Sequence, residues 1–367
     1  MTKIKCANPK AQYLSKKDEI DKKISETLNG NSYILGENVR KLEEEFAEFI
    51  TVKHSIGVAN GTDAIEIALR ALEIGTGDEV ITVSHTATAT VSAILCAGAI
   101  PVLVDIDEDL FTINHEEIKE AISDKTKAII AVHLYGQSCE LDEIKSICDQ
   151  KGIYLIEDVS QAHGAFYKKK RLGSIGHIGT FSCYPTKNLG AIGDAGLITT
   201  NHKDLYEKMK LIREYGWKNR ISQMVGRNSR LDEIQAAVLR IKLKYLDDDN
   251  AKRKNIADLY NNNFAEPYRP SYRTNCDHVH HLYVLKTEHQ SELIEFMKQK
   301  DIYLGVHYPH PVHMQKGFKD KIVIKDSLHV TEKLCRSIVS LPMYPELEIE
   351  MALKVIQELE NFNVQNI

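Results

Sequence analysis

The chain has 367 residues, 43% hydrophobic and 27% charged, with a formal net charge of -5. That length carries about two domains and ample material for a core, and the mildly acidic balance leaves no electrostatic footprint for nucleic acid or anionic lipid. The polar start Met1-Thr2-Lys3-Ile4-Lys5-Cys6, with no run of ~18 apolar residues anywhere, excludes a signal peptide or membrane span and gives a cytoplasmic protein as the expectation.

Apolar residues at helical spacing, first Ile20, Ile24 and Leu28 and then Val39, Leu42, Phe46 and Ile50, predict amphipathic helices over 15–28 and 37–50. A short strand at 55–59 follows, and Asn60-Gly61-Thr62-Asp63 turns the chain into a helix over 64–72. The alternation continues with strands at 79–83, 101–105, 128–133 and 154–157 and helices at 88–97, 115–122 and 140–150. Such alternation predicts an α/β fold with a largely parallel sheet, whose ligands sit beyond the carboxyl ends of the strands. The turns after Ala59, Val83, His133 and Glu157 therefore face one site.

Two further strands, at 179–183 and 197–200, bracket the stretch that contains Lys187. This lysine stands among small, polar and turn-forming residues, with Pro185 removing a backbone donor and Gly190, Gly193 and Gly196 allowing tight turns. A lysine held in such a loop attacks a carbonyl once it is partly desolvated and loses its proton near neutral pH. From this stretch alone two readings stand, a Schiff-base lysine or a loop lysine paired with Asp194.

After a helix over 205–214 comes a polar, Arg-rich stretch, 215–228, and Ser229-Arg230-Leu231-Asp232-Glu233-Ile234-Gln235 opens a long helix with acidic residues near its positive end. The domain boundary is placed in that helix near Tyr245, giving a large domain over 1–245 and a smaller C-terminal α+β domain over 246–367. The smaller part carries a strand at 281–285, a helix at 292–300, a proline-broken loop at 307–313 and a helix at 349–362.

Four elements suit one small anionic cofactor. Gly61 and Thr62 offer N–H groups at a helix N-terminus, the physics of phosphate capture. Asp158 ends a strand, where it either caps a helix or holds a ring nitrogen protonated, and Ser182 and Lys187 add a hydroxyl and an amine. Phosphate, aldehyde and pyridine nitrogen in one molecule describe pyridoxal 5'-phosphate.

Gly61-Thr62-Asp63-Ala64, Glu157-Asp158-Val159-Ser160-Gln161-Ala162-His163-Gly164, Tyr184-Pro185-Thr186-Lys187-Asn188-Leu189-Gly190 and Asn228-Ser229-Arg230-Leu231-Asp232 together resemble the signatures of the DegT/DnrJ/EryC1/StrS nucleotide-sugar aminotransferases, over nearly the whole chain. The resemblance implies a fold-type-I enzyme that moves an amino group from glutamate to a nucleotide-linked keto-sugar. It implies Lys187 as the lysine that carries the cofactor, Asp158 as the pyridinium partner, Gln161 as a ligand of the 3-hydroxyl and Ser182 as a phosphate ligand. Asn228 would reach the phosphate in the neighbouring subunit, which implies a homodimer with shared sites. Tyr184, Trp217, His307, Tyr308 and His313 are the candidate substrate contacts.

The sequence departs from the commonest family pattern at Ser84-His85-Thr86-Ala87-Thr88-Ala89-Thr90, where many members have an aromatic that covers the cofactor ring. Ala87 cannot stack, and His85 is the nearest planar side chain, so it is the candidate to cover the ring or, alternatively, to hydrogen-bond within the turn. This form, with Tyr215-Gly216-Trp217, resembles the subgroup that aminates C3 of dTDP-linked 3-keto-6-deoxyhexoses. A dehydratase on the same fold typically has histidine at the lysine position, and Lys187 speaks against it.

Other features carry less. The seven cysteines, Cys6, Cys96, Cys139, Cys148, Cys183, Cys276 and Cys335, are odd in number and form no C-x-x-C pair, so reduced packing thiols are expected. Cys276-Asp277-His278-Val279-His280-His281 alternates like a strand and lacks separated ligand pairs, so no metal site is assigned. Gly173-Ser174-Ile175-Gly176-His177-Ile178-Gly179 is not a dinucleotide fingerprint, and Lys168-Lys169-Lys170-Arg171 reads as a solvated hairpin tip.

Overall fold

The computed structural model describes residues 3–264 and 269–365. Its centre is an eight-stranded sheet in the order His54–Val58, Gly196–Thr200, Ile178–Ser182, Tyr154–Asp158, Thr126–Val132, Glu79–Val83, Ile100–Val104 and Val323–Ile324. Gly196–Thr200 runs antiparallel to both its neighbours, and the other pairings are parallel. Every residue of Glu79–Val83 is buried, as expected of a strand covered by helices on both faces.

The helix Glu37–Ile50 buries Val39, Leu42, Phe46 and Ile50, the set its spacing marks out. Phe46 meets Phe181 of the strand Ile178–Ser182 edge-on, with ring centroids 4.9 Å apart. A fixed contact between the first long helix and the strand beneath the lysine loop results.

Two helical stretches each fall into a pair. Residues 15–28 hold only the second of a pair, Pro9–Leu14 and Lys17–Leu28, the first opened by Pro9 after the Asn8 cap. The long helix breaks at Lys244 and Tyr245 into Glu233–Leu243 and Leu246–Asn263. Asp247, Asp248 and Asp249 fill the first turn of the second helix, where its positive end favours them.

A second core surrounds the antiparallel pair Tyr283–Lys286 and Ile338–Leu341, with Tyr260, Met297, Val339 and Val355 among its buried residues. The expected division at Tyr245 is crossed in both directions. Ile4 packs in this second core, its N–H donating to Asp301 and its carbonyl accepting from Tyr303. Conversely, Val323–Ile324 leaves the C-terminal part and pairs with Ile100–Val104 of the large sheet.

Lys168 and Lys169 form the two-residue tip of a hairpin between Phe166–Tyr167 and Lys170–Arg171, both at positive φ. Arg171 is not solvated like its neighbours: it pairs with both oxygens of Asp247 and lies 3.8 Å over the Phe49 ring. Among the described residues no helix is long and apolar enough to cross a membrane.

Candidate active site

The carboxyl ends of the central strands open into a cavity of about 240 Å³. Gly61, Thr62, Asp158, Gln161, Ser182, Tyr184 and Lys187 all line it. Of the four turns expected to face one site, those after Ala59 and Glu157 supply Gly61, Thr62, Asp158 and Gln161 and that after Val83 supplies Thr86 and Ala87, whereas the turn after His133 supplies none; Ser182, Tyr184 and Lys187 come from the lysine stretch.

Gly61 begins the helix Gly61–Ala71, whose cap Asn60 accepts from the Asp63 N–H at 2.8 Å. A Cβ on Gly61 would lie 2.5 Å from Ser182 Cβ. Glycine is thus what lets the helix N-terminus and the Ser182 hydroxyl lie side by side, a cradle of donors suited to an anion.

Asp158 ends the strand Tyr154–Asp158. Its Oδ2 accepts from Thr90 Oγ1 at 3.0 Å and its Oδ1 from the Ser160 N–H at 3.2 Å. The Thr90 hydroxyl also lies 3.1 Å from that of Thr86, which precedes the helix Thr88–Cys96. Sequence reasoning missed Thr90; its signal is the threonine spacing in the segment after Val83, where Thr86, Ala87, Ala89 and Thr90 all line the cavity.

Lys187 is half-buried. Loss of water around its amine pulls its pKa down from 10.5 to about 8, against the opposing pull of Asp158 and Cys183. Asp194 lines the same cavity, but among the described residues no ion pair joins it to Lys187, so the bland alternative is not what the loop builds. The loop is pinned from behind: Lys187 N–H donates to Tyr184 O at 2.8 Å, and Lys242 Nζ donates to Gly190 O at 2.7 Å. Asn188 adds bonds to Asn250, Val279 and His281.

Gln161 spans two elements, its Oε1 accepting from the Tyr135 N–H at 2.8 Å and its Nε2 donating to the Tyr308 hydroxyl at 2.9 Å. Tyr308 thereby touches the wall of the cavity. His307 Nδ1 meets Ser340 Oγ at 2.8 Å, and burial, aided by the nearby Lys187 charge, lowers its pKa to about 4. His313 is held away from the cavity lining by Ser84 and Glu332. Trp217 lies in a short hairpin against Tyr215, ring centroids 4.7 Å apart, and also stands outside the lining. Asn228 is exposed, its side chain bonded to Arg230.

His85 corrects an expectation. It does not line the cavity; Ala87 does. The His85 ring is buried behind the wall, with Nε2 2.6 Å from the Tyr135 hydroxyl and Nδ1 3.6 Å from Cys335 Sγ. Its polar atoms are satisfied by other elements, not by its own turn and not by a stacked ring. Among the described residues, no three His, Cys, Asp or Glu side chains are grouped to hold a metal ion.

A half-buried amine of lowered pKa, a hydrogen-bonded carboxylate, an amide and a glycine-dependent anion cradle suit a molecule with an aldehyde, a protonated ring nitrogen and a phosphate. Residues 14–360 match the family model of the DegT/DnrJ/EryC1/StrS aminotransferase family. The chain is 41% identical over 357 residues to a pleiotropic regulatory protein of Geobacillus stearothermophilus, covering 96% of each. It is also 41% identical over 347 residues to the dTDP-3-amino-3,6-dideoxy-alpha-D-galactopyranose transaminase of Aneurinibacillus thermoaerophilus, with 94% of this chain and 95% of that one covered. Among solved structures, DesV of S. venezuelae matches with a TM-score of 0.96 at 37% identity over 99% of both chains.

Proposed function

Because the chain belongs to the DegT/DnrJ/EryC1/StrS aminotransferase family, we propose that it transfers the amino group of glutamate to C3 of a dTDP-linked 3-keto-6-deoxyhexose, giving a dTDP-3-amino-3,6-dideoxyhexose. Its cofactor is pyridoxal 5'-phosphate. The observation that carries the reading is the convergence of Lys187, Asp158, Gln161, Ser182 and Gly61 on one cavity. The transaminase relative supports the substrate class.

When bound, the cofactor supplies an electron-accepting ring and a carbonyl carbon at which amino groups are exchanged. The N–H groups of Gly61 and Thr62 and the Ser182 hydroxyl bind its phosphate. Asp158 keeps the ring nitrogen protonated, with Thr90 and the Ser160 N–H holding the carboxylate in place. Gln161 orients the 3-hydroxyl. Lys187 Nζ, neutral once its proton is lost, takes the proton from Cα of the donor and returns one to C3 of the sugar. Tyr184, His307 and Tyr308 form the sugar side of the site, and residues 1–245 supply the cofactor side.

The same reading makes the enzyme a cytoplasmic homodimer in which Asn228 serves the partner's phosphate. The surface near Asn228 supports this: Ile221 and Val225 are 65% and 81% exposed, with Trp217 beside them. The test is turnover with glutamate and a panel of dTDP- and UDP-linked keto-sugars, the product carbon being assigned by NMR. Amination at C3 of the dTDP-3-keto sugar is expected. Product only from 4-keto sugars would move the reading to C4, and water loss without nitrogen transfer would overturn it.

A further inference from the structure

His85, Tyr135 and Gln161 follow three adjacent strands of the sheet, Glu79–Val83, Thr126–Val132 and Tyr154–Asp158, and all three side chains are buried. The Tyr135 hydroxyl donates to the backbone carbonyl of His307. A phenol has a single proton, so in the 2.6 Å contact between Tyr135 and His85 the hydrogen comes from His85 Nε2. That settles the tautomer: His85 Nδ1 is left to accept from the Cys335 thiol 3.6 Å away. Donation then runs one way, from Cys335 to His85 to Tyr135 to His307.

Tyr135 is tied a second time. Its backbone sits at φ 62° and ψ -2°, a left-handed conformation that bulky residues adopt only when their surroundings hold them there. Its N–H donates to Gln161, which in turn donates to the Tyr308 hydroxyl. His307 and Tyr308 are therefore joined to Tyr135 by separate routes, one through its phenol and one through its backbone. Burial pulls the His85 pKa down to about 4, which keeps the ring in the neutral form this chain of donors needs.

Resting on the function proposed above, in which His307 and Tyr308 flank the sugar, we infer that His85 and Tyr135 are positioning residues that set the His307–Tyr308 segment against the cavity through this hydrogen-bond relay. Neither touches cofactor or substrate. The relay replaces the ring-covering role that the sequence suggested for His85.

The test compares the holoenzyme with its Tyr135→Phe, His85→Phe and His85→Gln variants by two readouts, the hydrogen-exchange rate of a peptide covering residues 303–311 and the KM for the nucleotide sugar. Tyr135→Phe removes the hydroxyl but keeps the N–H on Gln161. Exchange in that peptide and KM should each rise ~10-fold, with kcat and the cofactor's visible band unchanged. His85→Phe keeps a planar ring without the donor and should match Tyr135→Phe, while His85→Gln restores an N–H near Nε2 and should stay within about threefold of the parent. Combining His85→Phe with Tyr135→Phe should add nothing to Tyr135→Phe alone. Unchanged exchange in Tyr135→Phe, or a His85→Phe variant that behaves like the parent, overturns the relay. If Tyr135→Phe does not fold, the contrast between His85→Phe and His85→Gln decides in the same way. Exchange needs no sugar, so a parent enzyme that fails to aminate any keto-sugar overturns the functional reading and leaves the relay to be judged by exchange alone.

Discussion

Thr90 Oγ1 lies 3.0 Å from Asp158 Oδ2, so a hydroxyl on the helix after the second strand of the chain holds a carboxylate at the end of the fifth. Thr90→Val preserves the shape and removes only that donor. We expect kcat/KM to fall ~10-fold, the worth of a hydrogen bond to a buried charged group, with no change in thermal midpoint beyond a few degrees. Steady-state kinetics beside a melting curve make the check. Wild-type kinetics in the valine variant would remove Thr90 from the site.

Lys187 sets the pH dependence. Its pKa is lowered by burial from 10.5 to about 8, so in the folded protein the amine is free above about 8 and protonated below. The cofactor-free protein should therefore take up pyridoxal phosphate at a rate that falls about tenfold per pH unit below that value and levels off above it. The stability sign follows as well. Between about 8 and 10.5 the unfolded chain holds a proton that the folded chain has lost, so this group's contribution to stability rises with pH across that window. Stopped-flow absorbance at a series of pH values measures the uptake; a plateau reached only near 10.5 would mean an ordinary lysine.

Gly61→Ala tests the anion cradle. The added Cβ would meet Ser182 Cβ at 2.5 Å, with the Ser182 backbone at 3.0 Å behind it. Separation of the two costs the phosphate its paired donors, and cofactor affinity should drop about 10- to 100-fold. Titration of the cofactor-free protein gives the dissociation constant. Ser182→Ala alone should lose less, because the helix N-terminus remains; a Gly61→Ala protein with undiminished affinity would place the phosphate elsewhere.

The proposed sharing of the site across a dimer predicts complementation. Lys187→Ala and Asn228→Ala subunits should each be inactive, yet mixed dimers should regain one intact site of two. Native mass spectrometry establishes subunit exchange, and activity is read on the same mixture. Full exchange without recovered activity would confine each site to a single chain.

Much of this site was open to reading in the sequence because its parts follow strands. Lys187, Asp158, Ser182 and Gly61 each stand where a buried apolar run stops, and the parallel sheet delivers such ends to one edge. His85 was misplaced because periodicity says where a strand ends and nothing of which way the next side chains turn; Ala87 took the cavity and His85 the interior. The strand Val323–Ile324 left no pattern to find, since two residues show no alternation, and its partners lie more than two hundred positions earlier. The break at Lys244 and Tyr245 interrupts an apolar spacing that continues on both sides, so only the acidic run at Asp247 marked it.

The exchange of segments between the two cores, Ile4 into one and Val323–Ile324 into the other, bears on how the protein is made. During synthesis the first residues emerge long before Asp301 and Tyr303, the groups that hold Ile4, and they stay without that partner until some three hundred positions later have left the ribosome. The large sheet keeps Ile100–Val104 as a bare edge until later still, open to pairing with another nascent chain until Val323–Ile324 covers it. Lys187 is thus synthesised well before the molecule can shield its own sheet. The bare edge therefore lasts from the synthesis of Ile100–Val104 until Val323–Ile324 has left the ribosome, an interval that spans the synthesis of Asp158, Ser182 and Lys187.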